Sequence, residues 1–147
     1  MHKTHSWIIS QNSKWCSHVW RRGTVPVWWK SEPKKGVGDP EITVRKEKPF
    51  EGCEKYISSL LDTFGQPLYI LSLLRTDPTK GELTLSQHYH QALQYVKHFM
   101  SIDATILDYD WHANIKQLGN DKTIESFWDI TKHPLERVNI SEGSMLL

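Results

Sequence analysis

The sequence predicts an α/β domain: an incomplete mixed sheet with flanking helices, opening on an N-terminal β-hairpin. Three observations predict it. Apolar residues alternate with polar ones near the start; they recur every three or four residues from Phe50 and again from Tyr89; and two short apolar runs, Leu68–Leu74 and Ala104–Asp108, separate the helical stretches. The order strand, helix, strand, helix, strand, helix is that of a sheet with helices packed on it. A length of 147 residues suits one domain or part of one, and 11% aromatic against 24% charged residues is the composition of a folding chain.

Each element has its own signal. Residues 5–10 and 15–29 are rich in Trp, Val and Ile with polar residues interleaved, and Gln11, Asn12 and Ser13 mark a turn, so a hairpin leads into a longer strand. Pro26 lacks an amide N–H, which puts Val25–Trp29 on an edge or at a bend. Lys30–Pro40, rich in Pro and Gly, reads as a loop. Phe50, Cys53, Tyr56, Ile57, Leu60, Leu61 and Phe64 share one helix face, with Pro49 as the start signal and Gly65 as the stop. Leu68–Leu74 has the pattern of a strand buried on both faces. Tyr89, Ala92, Leu93, Val96 and Phe99 mark a second helix, and Ala104–Asp108 is another buried strand. Asp121 suits the cap of a third helix bearing Ile124, Phe127 and Trp128 before Pro134. Residues 135–147 show no periodicity.

The net charge of +1 hides an asymmetry: residues 1–48 carry ten Lys or Arg against four Asp or Glu, and residues 49–147 carry eight against thirteen. The basic end suits an anionic partner such as a phosphate-rich lipid headgroup or nucleic acid, or is simply a solvated face. Arg21, Arg22, Lys30, Lys34, Lys35, Arg45, Lys46 and Lys48 are interleaved with Trp28 and Trp29, but no nucleic-acid motif accompanies them, and no nucleic acid is expected. Cys16 and Cys53 show no paired spacing, which fits a reducing, cytoplasmic compartment. The longest apolar stretch falls far below the roughly 20 residues that span a bilayer, so membrane contact is expected to be peripheral.

Two constellations carry candidate chemistry. Cys16 and Arg22 satisfy the C-x5-R spacing of cysteine-dependent phosphatases. That chemistry needs a tight loop of small residues whose N–H groups converge on one phosphate. Val19 and Trp20 intervene, and a strand sends successive groups to opposite sides, so the match is rejected. The second constellation comprises His88, His90, His98 and the run Asp108-Tyr109-Asp110-Trp111-His112. At the end of a buried strand Asp108, Asp110 and His112 would share one side, where α/β proteins commonly place ligands. Their spacing is no specific metal signature, and no metal is expected. Gly36-Val37-Gly38 lacks the context of a nucleotide cradle and reads as a turn.

Arg22-Gly23-Thr24-Val25-Pro26-Val27-Trp28-Trp29 is similar to the Arg-Gly-Ser/Thr-x-Pro-x-aromatic-Trp segment of Sac phosphoinositide phosphatases. That family continues with a helix, a strand similar to Leu68–Leu74, a short strand pair and a helix similar to Glu82–Met100. It then reaches an aromatic-Asp-aromatic-His element, matched here by Tyr109-Asp110-Trp111-His112. Tyr109–Ala113 and Ile140-Ser141-Glu142-Gly143 most resemble the long plant-type members. Ser72 departs from the Asn that many relatives carry in the apolar strand.

The resemblance implies, for a complete protein, attack by a cysteine thiolate on a phosphate monoester of an inositol lipid, without metal or other cofactor. In the family that cysteine belongs to a Cys-x5-Arg loop beyond the aromatic-Asp-aromatic-His element, and no cysteine follows His112 here. Residues 1–14 are expected to end a preceding subdomain or to form a hairpin strand, and 15–147 to form the N-terminal portion of a Sac catalytic domain truncated before that loop. Such a fragment is expected to be inactive alone, with no catalytic residue of its own. Asp110 and His112 are the candidates for lying near the phosphate pocket, with Arg22 ordering the neighbouring sheet. The expected partner is a phosphoinositide headgroup at a membrane surface. Two rivals remain: a noncatalytic module docking anionic lipid through its basic half, and a metal-dependent hydrolase built on Asp108, Asp110 and His112.

Overall fold

The computed structural model describes residues 3–11, 14–33, 36, 38–45, 48, 50–138 and 141–144. In chain order the elements are β1 (Lys3–Gln11), β2 (Lys14–Arg22), β3 (Trp29–Glu32), β4 (Glu41–Val44), α1 (Glu51–Phe64), β5 (Leu68–Ser72), α2 (Gly81–Met100), β6 (Ala104–Asp108), α3 (Trp111–Leu118), α4 (Asn120–Val138) and β7 (Ser141–Ser144). The α/β class and the N-terminal hairpin are both present, with β1 and β2 pairing antiparallel from Lys3↔Arg22 to Gln11↔Lys14. Among the described residues the strands form three small sheets, ordered β1-β2-β7, β3-β4 and β5-β6.

Several boundaries differ from the sequence reading. β2 ends at Arg22 and strand resumes only at Trp29, the break falling around Gly23 and Pro26. β3 then enters the segment read as a loop and pairs with β4, from Trp29↔Val44 to Glu32↔Glu41; its four residues are all exposed, so no apolar alternation marks it. Residues 73–80 form a loop, with a turn at 78–79, instead of a strand pair. Residues 141–144, which lack periodicity, add β7 to the hairpin with Trp15 opposite Gly143, a non-local pairing that no local pattern encodes. Gln11 belongs to β1, while Asn12, Ser13 and Pro49, read as turn and helix-start signals, lie outside the described residues.

The core gathers on α2. Leu85, Tyr89, Ala92, Leu93 and Val96 recur at helical spacing and meet Cys53 and Ile57 of α1, Val44 of β4, Ala104 of β6 and Val27. Each large apolar side chain buried in this way stabilises the fold by roughly 1.5–3 kcal/mol. Phe99, expected on the same face, is 68% exposed, and Trp28 and Trp29 are 54% and 39% exposed. The segment after β2 docks on α1 because Gly52 has no side chain: a Cβ there would stand 3.1 Å from the Pro26 carbonyl oxygen. Gly65 closes α1 with φ +74°, its N–H donating to the Leu61 carbonyl at 2.9 Å.

β5, α2 and β6 form a βαβ unit: parallel strands in register from Leu68↔Ala104 to Ser72↔Asp108, joined by the 20-residue helix α2. After β6 the chain turns at once into α3, a helix the sequence reading missed. Its signals are Asp110 as cap and Gly119 as stop. α4 carries Asp121 in its first turn and continues through Pro134 to Val138 instead of ending before the proline. Of its expected apolar face only Phe127 turns inward, while Ile124 and Trp128 are each 58% exposed.

Candidate functional site

The carboxyl ends of the two parallel strands converge on one short stretch, Tyr109 to His112. Tyr109 N–H donates to the Ser72 carbonyl at 2.8 Å, which ties the exit of β6 to the end of β5. The Tyr109 ring is buried edge-on to Phe127 of α4, with centroids 5.2 Å apart, and Trp111 meets the same Phe127 at 5.4 Å. The Tyr109 hydroxyl donates to the buried Thr123 carbonyl at 2.7 Å. The two aromatic positions of the aromatic-Asp-aromatic-His element therefore anchor it to α4, which fixes the residues between and after them.

Asp110 is buried and fully engaged. One carboxylate oxygen accepts from Ala113 N–H at 2.9 Å, capping α3. The other accepts from Thr76 N–H at 2.7 Å and from the Thr76 hydroxyl at 3.1 Å, clasping the loop after β5. Burial alone would raise the pKa of this carboxyl. The two N–H donors, the Thr76 hydroxyl and nearby His112 outweigh it, and the group stays charged below its ordinary range.

That clasp sets an arginine and a histidine side chain, half-exposed and exposed, side by side. Arg75 precedes Thr76, and His112 lies in the first turn of α3; Arg75 Nη2 stands 3.5 Å from His112 Nε2. Arg75 is held from its other side as well. Its backbone N–H donates to Glu82 Oε2 at 2.8 Å, and its Nε lies 3.9 Å from Glu82 Oε1. The rest of the loop is fixed by Asp77, which accepts from Thr79 N–H at 2.8 Å and from its hydroxyl at 2.7 Å. Those two bonds, hydroxyl first, hold the Asp77 carboxyl below its usual pKa.

The other nominated residues divide. Asp108 does not join Asp110: its carboxylate meets His90 Nε2 of α2 at 2.7 Å. His88 and His98 make no hydrogen bond with this set among the described residues, and no group of three or more His, Cys, Asp or Glu there is arranged to hold a metal ion. Arg22 is exposed at the end of β2, its backbone opposite Lys3, in a different sheet from β5 and β6, whose ends Asp110 and His112 follow. Arg75 and Glu82 went unnoticed in the sequence because an Arg and a Glu seven positions apart across a loop carry no pattern.

Neither cysteine lies in a loop. Cys16 lies within the central strand of its sheet, opposite Ile9 on one side and Glu142 on the other. Six residues of strand rise roughly 3.3 Å each and so hold Cys16 and Arg22 about 20 Å apart. Cys53 is fully buried in the core, and burial pushes its thiol up to about 12.

Among the described residues no helix is long and apolar enough to cross a membrane. Residues 2–116 match the family described as the SacI homology domain. The chain is 32% identical over 118 residues to the inositol-1,4,5-trisphosphate 5-phosphatase 1 of Schizosaccharomyces pombe, covering 79% of this chain and 10% of that protein. It is 26% identical over 89 residues to the phosphatidylinositol-3-phosphatase SAC1 of Arabidopsis thaliana, covering 59% of this chain and 10% of that protein. With the polyphosphoinositide phosphatase of S. pombe it shares 26% identity over 114 residues, 74% of this chain and 14% of that protein. The chain thus spans only between a tenth and a seventh of the length of these relatives. The match over residues 2–116, with the aromatic-Asp-aromatic-His element that ties β6 to α4 lying inside it, shows that this chain belongs to the SacI homology domain family.

Proposed function

We propose that this chain is part of a phosphatidylinositol phosphate phosphatase, an enzyme that hydrolyses the phosphate monoesters of inositol lipids and releases phosphate. The observation that carries this reading is the family membership, together with relatives that are named as phosphoinositide phosphatases. In it, residues 15–147 form the opening portion of the catalytic domain and residues 1–14 the end of the subdomain before it, joined through the β1–β2 pairing. The chain contributes scaffold and headgroup contacts, and the attacking thiolate comes from elsewhere, since Cys53 is sealed in the core and Cys16 lies in a paired strand.

His112 faces the phosphate, Asp110 holds it in place through the α3 cap, and Arg22 orders the neighbouring sheet. The protein works in the cytoplasm, peripheral to a membrane, with a phosphoinositide as its partner and no nucleic acid. Co-sedimentation with vesicles tests this directly. Phosphoinositide vesicles should retain the chain better than phosphatidylserine vesicles of equal surface charge; equal retention on both contradicts headgroup recognition.

A second reading has one observation of its own, the excess of six positive charges in residues 1–48. It makes the chain a noncatalytic module docking on anionic lipid of any kind. Binding that follows surface charge alone and fades with added salt favours it, because mobile ions screen such attachment within about 8–10 Å at physiological salt.

A further inference from the structure

We propose that Arg75 and His112 together form a binding site for the oxygens of a phosphate monoester. The inference rests on the phosphoinositide reading and extends it to a residue that the aromatic-Asp-aromatic-His element does not contain. Three features of the structure carry it.

The first is placement. Arg75 and His112 leave the carboxyl ends of the two parallel strands β5 and β6, the edge at which open α/β units receive their ligands. The second is pre-organisation. The Arg75 backbone is fixed through Glu82, which accepts its N–H at 2.8 Å and stands 3.9 Å from Nε, and the His112 backbone is fixed through the α3 cap that Asp110 makes. The Asp110–Thr76 clasp locks the two segments to each other. A guanidinium whose backbone is already fixed loses less freedom on gripping an oxyanion than one on a loose loop.

The third is the pairing itself. Arg75 Nη2 and His112 Nε2 stand 3.5 Å apart, and both side chains reach solvent. Without an anion, the guanidinium donates to a ring nitrogen that carries no proton. With a phosphate oxygen beside them, Arg75 Nη2 and the His112 ring, in the tautomer that carries its proton on Nε2, both donate to the same acceptor, a charge-assisted arrangement stronger than a neutral hydrogen bond. Charges near the pair include the cation of Lys116 on α3 and the carboxylates of Glu82 and Asp110. Both carboxylates are already engaged, Glu82 by Arg75 and Asp110 by Thr76 and Ala113.

The experiment is an NMR titration of the chain with soluble inositol trisphosphate, following the His112 ring and the Arg75 guanidinium. Inorganic phosphate is titrated in parallel. Both signals should move saturably, and Arg75→Gln and His112→Gln should each weaken binding about tenfold or more, the loss typical of a hydrogen bond to a charged group. Arg75→Lys, which keeps the charge without the fork, should fall between. Lys122→Gln on α4 should bind as the unmodified chain does. Comparable affinity for inorganic phosphate supports the site and assigns it to free phosphate; preference for inositol trisphosphate supports it as a headgroup site. Should Arg75→Gln fail to fold, His112→Gln, on an exposed side chain, decides alone. Saturable binding left unchanged by the His112 and Arg75 substitutions overturns this site while leaving headgroup recognition intact. No binding by the unmodified chain overturns both.

Discussion

Replacing Asp110 by alanine removes three hydrogen bonds at once, those from Ala113 N–H, Thr76 N–H and the Thr76 hydroxyl. The cap on α3 is worth about 1 kcal/mol. Thr76 is exposed, so its two donors regain water when the carboxylate is gone, and each loses only about 0.5–1 kcal/mol. The sum is a destabilisation of about 2–3 kcal/mol. For a chain of this length, at about 2–4 °C per kcal/mol, the melting midpoint should fall by about 5–10 °C. Asp110→Asn keeps one acceptor for the cap but turns an amide NH2 toward the Thr76 donors, and it should recover about 1 kcal/mol of the loss.

Thermal unfolding followed by circular dichroism measures the shift, and amide exchange at Thr76 localises it. The pH dependence has a definite sign. The folded carboxyl titrates below its unfolded value, so the stability it adds is complete above the ordinary carboxylate range and is lost as pH falls through that range and below it. The alanine variant lacks that portion of the acid loss. A midpoint within 1 °C of the unmodified chain, or an unchanged Thr76 exchange rate, refutes the clasp.

Other substitutions probe the neighbouring parts. Tyr109→Phe leaves the buried Thr123 carbonyl without its hydroxyl donor and should cost about 1–2 kcal/mol, read as a lower urea midpoint at constant slope. Ser72→Ala should be neutral or stabilising by up to about 1 kcal/mol, because the buried Ser72 hydroxyl has no hydrogen-bond partner among the described residues; a loss in the melting midpoint shows that it has one. Cys53 should resist alkylation at pH 8 in the folded chain and react in urea, since burial raises its thiol to about 12; mass spectrometry of the peptide containing Cys53 distinguishes the two.

Much of this arrangement was legible in the sequence, and the gaps have physical causes. α1, β5, α2 and β6 follow from period alone, because each turns one apolar face or run toward the same core. The hairpin at the start is equally plain, since its alternation matches the pleat. β3 is wholly exposed and pairs with the equally short β4, while β7 is fixed by a partner near the other end of the chain, a pairing that no local pattern predicts. α3 is short, with no buried residue, so only its cap announces it.

The site divides in the same way. Asp110 and His112 stand out because they follow a buried strand, but that Asp110 is spent on Thr76 and Ala113 is visible only once the loop after β5 is in place. Arg75 belongs to that loop and comes to His112 through folding alone. Phe99, Ile124 and Trp128 followed the helical period yet face outward, since period names a face without saying whether anything covers it.

The most direct measurement is phosphate release by the purified chain from vesicles carrying phosphoinositides. A chain that supplies scaffold and headgroup contacts, with one cysteine sealed in the core and the other in a paired strand, releases none at any protein concentration. Release that scales with the protein and survives Cys16→Ser would contradict the assignment and place a second, independent chemistry in these residues.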